Sequence, residues 1–130
     1  MAYTTINKST DHFNTKLYTG NGTAIGSGGN AITGVGFQPD WLWIKNRGSA
    51  LHHGVFDAVR GTPKRVLPSS TAAEDSNTET VNSFDADGFT VGSNSNVNGN
   101  GNSLVAWNWK AGGTAPAITY VVKVVSDSGN

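Results

Sequence analysis

The chain has 130 residues, a length suited to one domain, or one domain and a stub, which argues against a multidomain enzyme. Nine Lys+Arg balance nine Asp+Glu, and charged residues reach only 14%, against a usual share of roughly 25%. The lack of net charge or a basic cluster argues against nucleic acid as a partner. Seventeen glycines and no cysteine favour strands and turns, and remove disulfides, thiolate nucleophiles and Cys-based zinc sites.

Period-two alternation dominates over helical spacing, so the expected class is all-β. Phe13, Thr15, Leu17 and Thr19 alternate with Asn14, Lys16 and Tyr18, and Gly20-Asn21-Gly22 ends that strand in a turn. Glycine recurs over residues 24–36, which leaves a loop or a weak edge strand near residues 31–33. Pro39-Asp40 then launches Trp41-Leu42-Trp43-Ile44-Lys45-Asn46, the strongest strand, with large side chains on both faces. Residues 52–59 and 65–67 supply two more strands, and residues 69–80 read as loop. Residues 81–84 and 89–91 flank Asp85-Ala86-Asp87-Gly88 as a hairpin. The Asn/Gly/Ser run over residues 93–102 is expected to be an exposed, mobile loop, and residues 103–110 return as a strand. Residues 118–125 form a last valine-rich strand, followed by a turn signal and then the end of the chain. Such a strand needs a partner, either in a further module or in another subunit.

Trp41-x-Trp43 and Trp107-x-Trp109 each place two indoles on one strand face. Two uses compete for them. As core they would add on the order of 150–250 Å² of burial each, and Leu42, Ile44, Val105 and Ala106 make the same strands apolar on the other side. As an exposed platform they would stack on sugar rings. The core is the expected use.

Chemistry-bearing groups are sparse. His12, His52 and His53 are the only imidazoles, and adjacent His52 and His53 point to opposite faces of a strand, so no shared metal is expected. Asp85-x-Asp87-Gly88 resembles the start of a calcium loop but lacks its later ligands, and a hairpin turn accounts for it. Asp57, Glu74, Asp85 and Asp87 are the carboxylates available for sugar hydrolysis, and their sequence spacing defines no acid/base pair. Asp57 and Arg60 read as a local ion pair. No nucleophile elbow, Walker loop or dinucleotide fingerprint occurs. Asn7-Lys8-Ser9 and Asn21-Gly22-Thr23 fit the N-glycosylation triplet, but residues 1–14 lack an apolar leader, so they read as loop. No stretch approaches the roughly 18 apolar residues of a membrane span, so membrane insertion is not expected. Catalysis, cofactor and metal are all expected to be absent.

Ala2-Tyr3-Thr4-Thr5-Ile6, Leu17-Tyr18-Thr19-Gly20-Asn21-Gly22-Thr23 and Gln38-Pro39-Asp40-Trp41-Leu42-Trp43-Ile44-Lys45-Asn46-Arg47 occur in order. Asp57-x-x-Arg60-Gly61, Ser83-Phe84-Asp85-Ala86-Asp87-Gly88-Phe89-Thr90 and Val105-Ala106-Trp107-Asn108-Trp109-Lys110-Ala111-Gly112 follow them. This set resembles a repeated domain of marine bacteriophage tail-fibre-like proteins over about residues 3–113. The resemblance implies an antiparallel β-sandwich, jelly-roll or lectin-like, over residues 1–113, with residues 114–130 a linker and the first strand of a following module. It further implies a virion protein made in the host cytoplasm, a homotrimer and contact with other tail proteins. Host-surface glycan would be reached through distal modules, because an N-terminal module docks onto the particle. A carbohydrate-binding module and a capsid decoration protein are the alternatives, and a polysaccharide-degrading enzyme is a more distant one. The family supplies no catalytic residues.

Overall fold

A computed structural model describes residues 8–111. The strand expected at residues 118–125, the boundary at residues 113/114 and the opening motif at residues 2–6 lie outside the described residues.

The domain is all-β and antiparallel, as expected. Its larger sheet orders β1 (Phe13–Thr19), β9 (Ser103–Trp109), β3 (Trp41–Asn46) and β4 (Gly54–Asp57) side by side. A second sheet orders β2 (Asn30–Ile32), β8 (Gly88–Val91) and β7 (Val81–Asp85). The short pair β5 (Lys64–Arg65) and β6 (Asp75–Ser76) hangs from β4 through a bridge between Val55 and Val66. β6 falls where the sequence predicts loop. Its pairing is set by Arg65, which donates through Nε and a terminal guanidinium nitrogen to the two oxygens of Asp75, a contact across the chain that local propensity does not carry.

Strand alternation decides the core. Leu42 and Ile44 of β3, Leu104 and Ala106 of β9 and Phe56 of β4 face the second sheet, where Ile32, Val81, Phe89 and Val91 meet them. Val35 and Phe37, from the connection between β2 and β3, and Val97 complete this cluster. The tight β7–β8 turn brings Gly88 against the neighbouring strand, where an added Cβ would stand 1.9 Å from the Ile32 carbonyl oxygen. Only glycine fits that approach.

Two expectations are corrected. The four indoles are not core. Trp41, Trp43, Trp107 and Trp109 lie half-buried on the outer face of the larger sheet, opposite the side that meets the second sheet. Val105 shares their face by parity, so it does not belong to the opposite side with Ala106. The inter-sheet space is filled by aliphatic residues and phenylalanines, and an indole placed there would also bury an N–H in need of an acceptor.

The polar run over residues 93–102 is not an exposed loop either. It folds into a one-turn helix, α1 (Ser95–Asn98), whose Val97, Asn98 and following Gly99 are buried. The Asn94 side chain accepts from the Asn96 amide at its start. This turn closes the end of the sandwich where β3 reaches Asn46 and β9 begins.

Candidate functional site

The outer face of the larger sheet carries the most distinctive chemistry of the domain. Register sets Trp41 beside Trp109 and Trp43 beside Trp107 across β3 and β9. On the flanks, Phe13 pairs with Trp109, and Asp57 with Trp41. The rings pack edge to face: 4.4 Å between centroids for Trp41–Trp109, 6.0 Å for Trp41–Trp43 and 6.1 Å for Trp43–Trp107, with interplanar angles of 75°, 83° and 78°. Phe13 adds a tilted contact at 4.8 Å to Trp109. Such pairs are worth roughly 0.5–1.5 kcal/mol each beyond area burial. The rings shield one another instead of lying flat, so the face is a herringbone layer and not a smooth shelf.

The face remains open at its margins. Phe13 is 36%, Leu17 60% and Val59 97% exposed. A cleft of about 390 Å³ between Asp40, Trp41, Asp57, Ala58, Val59 and Ala111 indents its upper corner.

One imidazole supports this layer. The Trp43 indole N–H donates to His53 Nδ1 at 3.0 Å, and because an indole only donates, the neutral His53 ring carries its own proton on Nε2. Desolvation lowers the His53 pKa, reinforced by the nearby charges of Lys45 and His52. His52 points elsewhere, with Nδ1 3.0 Å from Ser69 Oγ, and the His53 amide donates to the same hydroxyl. The two histidines therefore do separate jobs, although they precede β4 and are not part of a strand, so their divergence does not come from strand alternation. Among the described residues no group of three or more His, Asp or Glu side chains could hold a metal.

Each candidate carboxylate accepts from a neighbour. Asp57 and Arg60 form the anticipated ion pair, with the Arg60 amide also donating to Asp57 at 2.7 Å. Burial works to raise the Asp57 pKa, but the Arg60 bonds outweigh it and the net shift is downward. The same guanidinium donates to Glu74 at 3.0 Å and to the Val55 carbonyl at 3.2 Å. Arg60 thus clamps two of the carboxylates considered for hydrolysis, and β4, to one another. Asp85 accepts from the Thr90 hydroxyl across the hairpin. Asp87 accepts from the Gly34 amide at 2.8 Å and the Gly36 amide at 2.7 Å, one to each oxygen, and these bonds depress its pKa. Both oxygens of Asp87 accept from amides, so this side chain pins the loop through Gly34 and Gly36 to the β7–β8 turn.

Two polar anchors are not visible in the sequence pattern. Glu79 Oε2 accepts from the Ile25 amide, the Ser93 amide and the Ser93 hydroxyl, and the Ser93 and Ile25 amides hold its pKa down. Asn98, fully buried, accepts at Oδ1 from the Asn21 amide and Asn30 Nδ2 and donates from Nδ2 to Asn21 Oδ1. Around it Asn46 Nδ2 donates to the Ser95 carbonyl, Asn102 Nδ2 to Ser49 Oγ, and the Tyr18 hydroxyl to the Val97 carbonyl at 2.6 Å. Burial raises the Tyr18 pKa. The one signal in the sequence is Val97, the single apolar residue of the asparagine run, beside Asn98-Gly99.

Architecture and site together define a two-sheet β domain with one polar-capped end and one aromatic outer face. The chain matches the family described as a domain of unknown function, DUF7483, over residues 8–129, and it belongs to that family. No curated protein and no solved structure matches it. No helix among the described residues is long and apolar enough to cross a membrane.

Proposed function

We propose that the domain is a non-catalytic structural module of a phage tail-fibre-type attachment assembly, working as a homotrimer with other virion tail proteins. The observation that carries this reading is the use made of its polar groups. Glu74, Asp85 and Asp87 each hold one segment to another, and Asp57 fixes the Arg60 side chain that grips Glu74, a use of acidic groups that suits a scaffold. A glycosidase instead keeps one carboxylic acid in an apolar pocket and a second at a set distance. The tail-fibre assignment itself rests on the ordered motifs from Leu17-Tyr18-Thr19-Gly20 to Val105-Ala106-Trp107-Asn108-Trp109. Such a module needs only weak individual contacts, because effective concentration multiplies them along a fibre. Labelled-particle imaging with an antibody to this chain is expected to decorate the tail, whereas decoration of the head surface would favour the capsid alternative. Light scattering of the intact protein is expected to give three chain masses; a stable monomer would refute the trimer.

A carbohydrate-binding module is the second reading, favoured by the placement of all four indoles on an outer face. It predicts that oligosaccharides from the host surface perturb indole fluorescence in a saturable way. Release of new reducing ends from host polysaccharide would refute both readings in favour of an enzyme.

A further inference from the structure

A sheet edge left open along its length is a template for another strand, and three of the four edges of the two main sheets are blunted. At β4, Val55 exchanges its N–H and C=O with Val66 at 2.9 and 3.1 Å. At β7, the register shifts between Val81 and Ser83, the Thr62 hydroxyl donates to the Asn82 carbonyl, and Gln38 Nε2 donates to the Phe84 carbonyl. β2 is only three residues long. β1 differs: its seven residues pair with β9 without a shift and include neither proline nor glycine. We infer that β1 is a docking edge for an extended segment of another protein, which joins the larger sheet as a fifth strand.

The pairing decides which backbone groups this edge offers. The Gly20 amide donates to the Asn102 carbonyl at one end of β1, and the Lys110 amide donates to the His12 carbonyl at the other. In an antiparallel ladder the even-numbered residues of β1 therefore exchange bonds with β9. The N–H and C=O of Phe13, Thr15 and Leu17 point away from it, and no hydrogen bond from the described residues reaches them. The Thr19 carbonyl, next in that row, accepts from Asn30 Nδ2 at 3.3 Å, as the outward direction requires. The same parity sets the chemistry of the partner. Phe13 and Leu17 stand exposed on the outer face, so apolar side chains suit the positions beside them. On the inner side the one charge of β1 is Lys16, whose Nζ reaches over Gly34, so an acidic residue suits the position opposite it. A second copy fits less well. Antiparallel pairing of β1 with itself over its full length sets Lys16 opposite Lys16 at a non-hydrogen-bonded position, where side chains are closest. Centring the two-fold on Thr15 or Leu17 instead leaves only residues 13–17 or 15–19 paired. This inference stands apart from the virion assignment, which concerns where the protein works and not which edge it offers.

The test uses the full chain and a capped, dye-labelled synthetic peptide, Val-Thr-Val-Glu-Val-Thr-Val. Saturable binding is expected by fluorescence anisotropy. Amide hydrogen exchange at Thr15 and Leu17 is expected to be fast in the free protein and slowed at least about tenfold by the peptide. N-methylation of the valine amides, which face β1 in the added strand, is expected to abolish binding, whereas N-methylation of the threonine and glutamate amides is expected to leave it within about twofold. Thr15→Pro removes an outward N–H and no bond to β9. It is expected to keep a cooperative urea transition and to bind about tenfold more weakly, the worth of one backbone hydrogen bond. A peptide with lysine in place of glutamate is expected to bind wild type more weakly and to recover with Lys16→Glu. No binding of the parent peptide, or equal binding of the two N-methylated peptides, would overturn the proposal. A native mass that drops from paired to single chains in Thr15→Pro would overturn it in favour of a second copy at this edge.

Discussion

Replacing Asn98 by alanine is the sharpest probe of what closes the sandwich. The side chain is fully buried and makes three hydrogen bonds that tie α1 to the turn after β1 and to the start of β2. At a net of about 1 kcal/mol per bond, their loss costs about 3 kcal/mol. Asn21 is exposed and Asn30 half-exposed, so water re-satisfies part of what they lose, and the expected cost is about 2–3 kcal/mol. That is a large share of the roughly 5–15 kcal/mol typical of a domain. Equilibrium urea unfolding followed by indole fluorescence reads it as a midpoint lowered by on the order of 1–2 M, with the slope unchanged. Asn100→Ala, exposed on the same run, is the matched control and is expected to stay within about 0.5 kcal/mol. If Asn98→Ala matched that control, the asparagine cluster would be ordinary loop and the description of a polar cap would be wrong.

Gly88→Ala is expected to destabilise by roughly 1–3 kcal/mol or more, since its Cβ would meet the Ile32 carbonyl oxygen at 1.9 Å; a melting curve like that of wild type would contradict the packing of β8 on β2. Acid titration of stability should show two phases. His53 has its pKa lowered from 6.5, so its contribution is complete above about 6.5 and declines as pH falls below that value, levelling once the folded ring also takes a proton, with loss of the Trp43 bond. Trp43→Phe should flatten that phase as seen by midpoint against pH. Asp57, Asp75, Glu79 and Asp87 all have lowered values, so their contributions hold above the ordinary carboxylate range and vanish as pH drops through the folded values, giving a second, steeper fall. Asp87→Asn is expected to weaken the attachment of the Gly34 and Gly36 loop and to blunt that second phase; an unchanged acid midpoint would refute the role of the pin.

Which parts of this fold are legible in the sequence follows from how local each determinant is. Trp41–Asn46 and Phe13–Thr19 emerge from alternation with their bounds intact, because β-branched and aromatic residues end abruptly at turn-forming Asn, Arg and Gly. The β7–β8 hairpin is legible for the same reason, with Gly88 marking its return. The face assignment of the indoles is not. Both sides of β3 and β9 are apolar, and only the partner sheet decides which side turns inward. The asparagine run misleads differently. Low hydrophobicity predicts solvent exposure on average, yet an amide side chain can replace backbone partners, and Asn98, Asn46 and Asn94 do so here. Those pairings join residues as far as 77 positions apart, beyond any local pattern. The carboxylates stand out in the sequence as candidate acids, and the Asp57–Arg60 pair is legible because it is local, whereas the bond of Arg60 to Glu74, and Thr90, Gly34 and Gly36 as partners of Asp85 and Asp87, become visible only once the loops are folded together.

The two ends of the strands consequently differ in kind. At the end where Thr19 pairs with Ser103, and Asn46 with Leu104, the layers are shut by α1 and its asparagine bonds. At the opposite end Phe13, Trp109 and Trp41 lie in one row, the Asp40 amide donates to the Trp109 carbonyl, and the chain departs through Lys110 and Ala111. The capped end turns its amides and its one valine inward, and the aromatic side chains line the outer face that runs back from the opposite end. That difference follows from what each strand face has to pack against. It also explains why the strongest strands are those with apolar residues on both sides: β3 and β9 are the two central strands of the larger sheet, and each must satisfy a core on one face and an aromatic layer on the other.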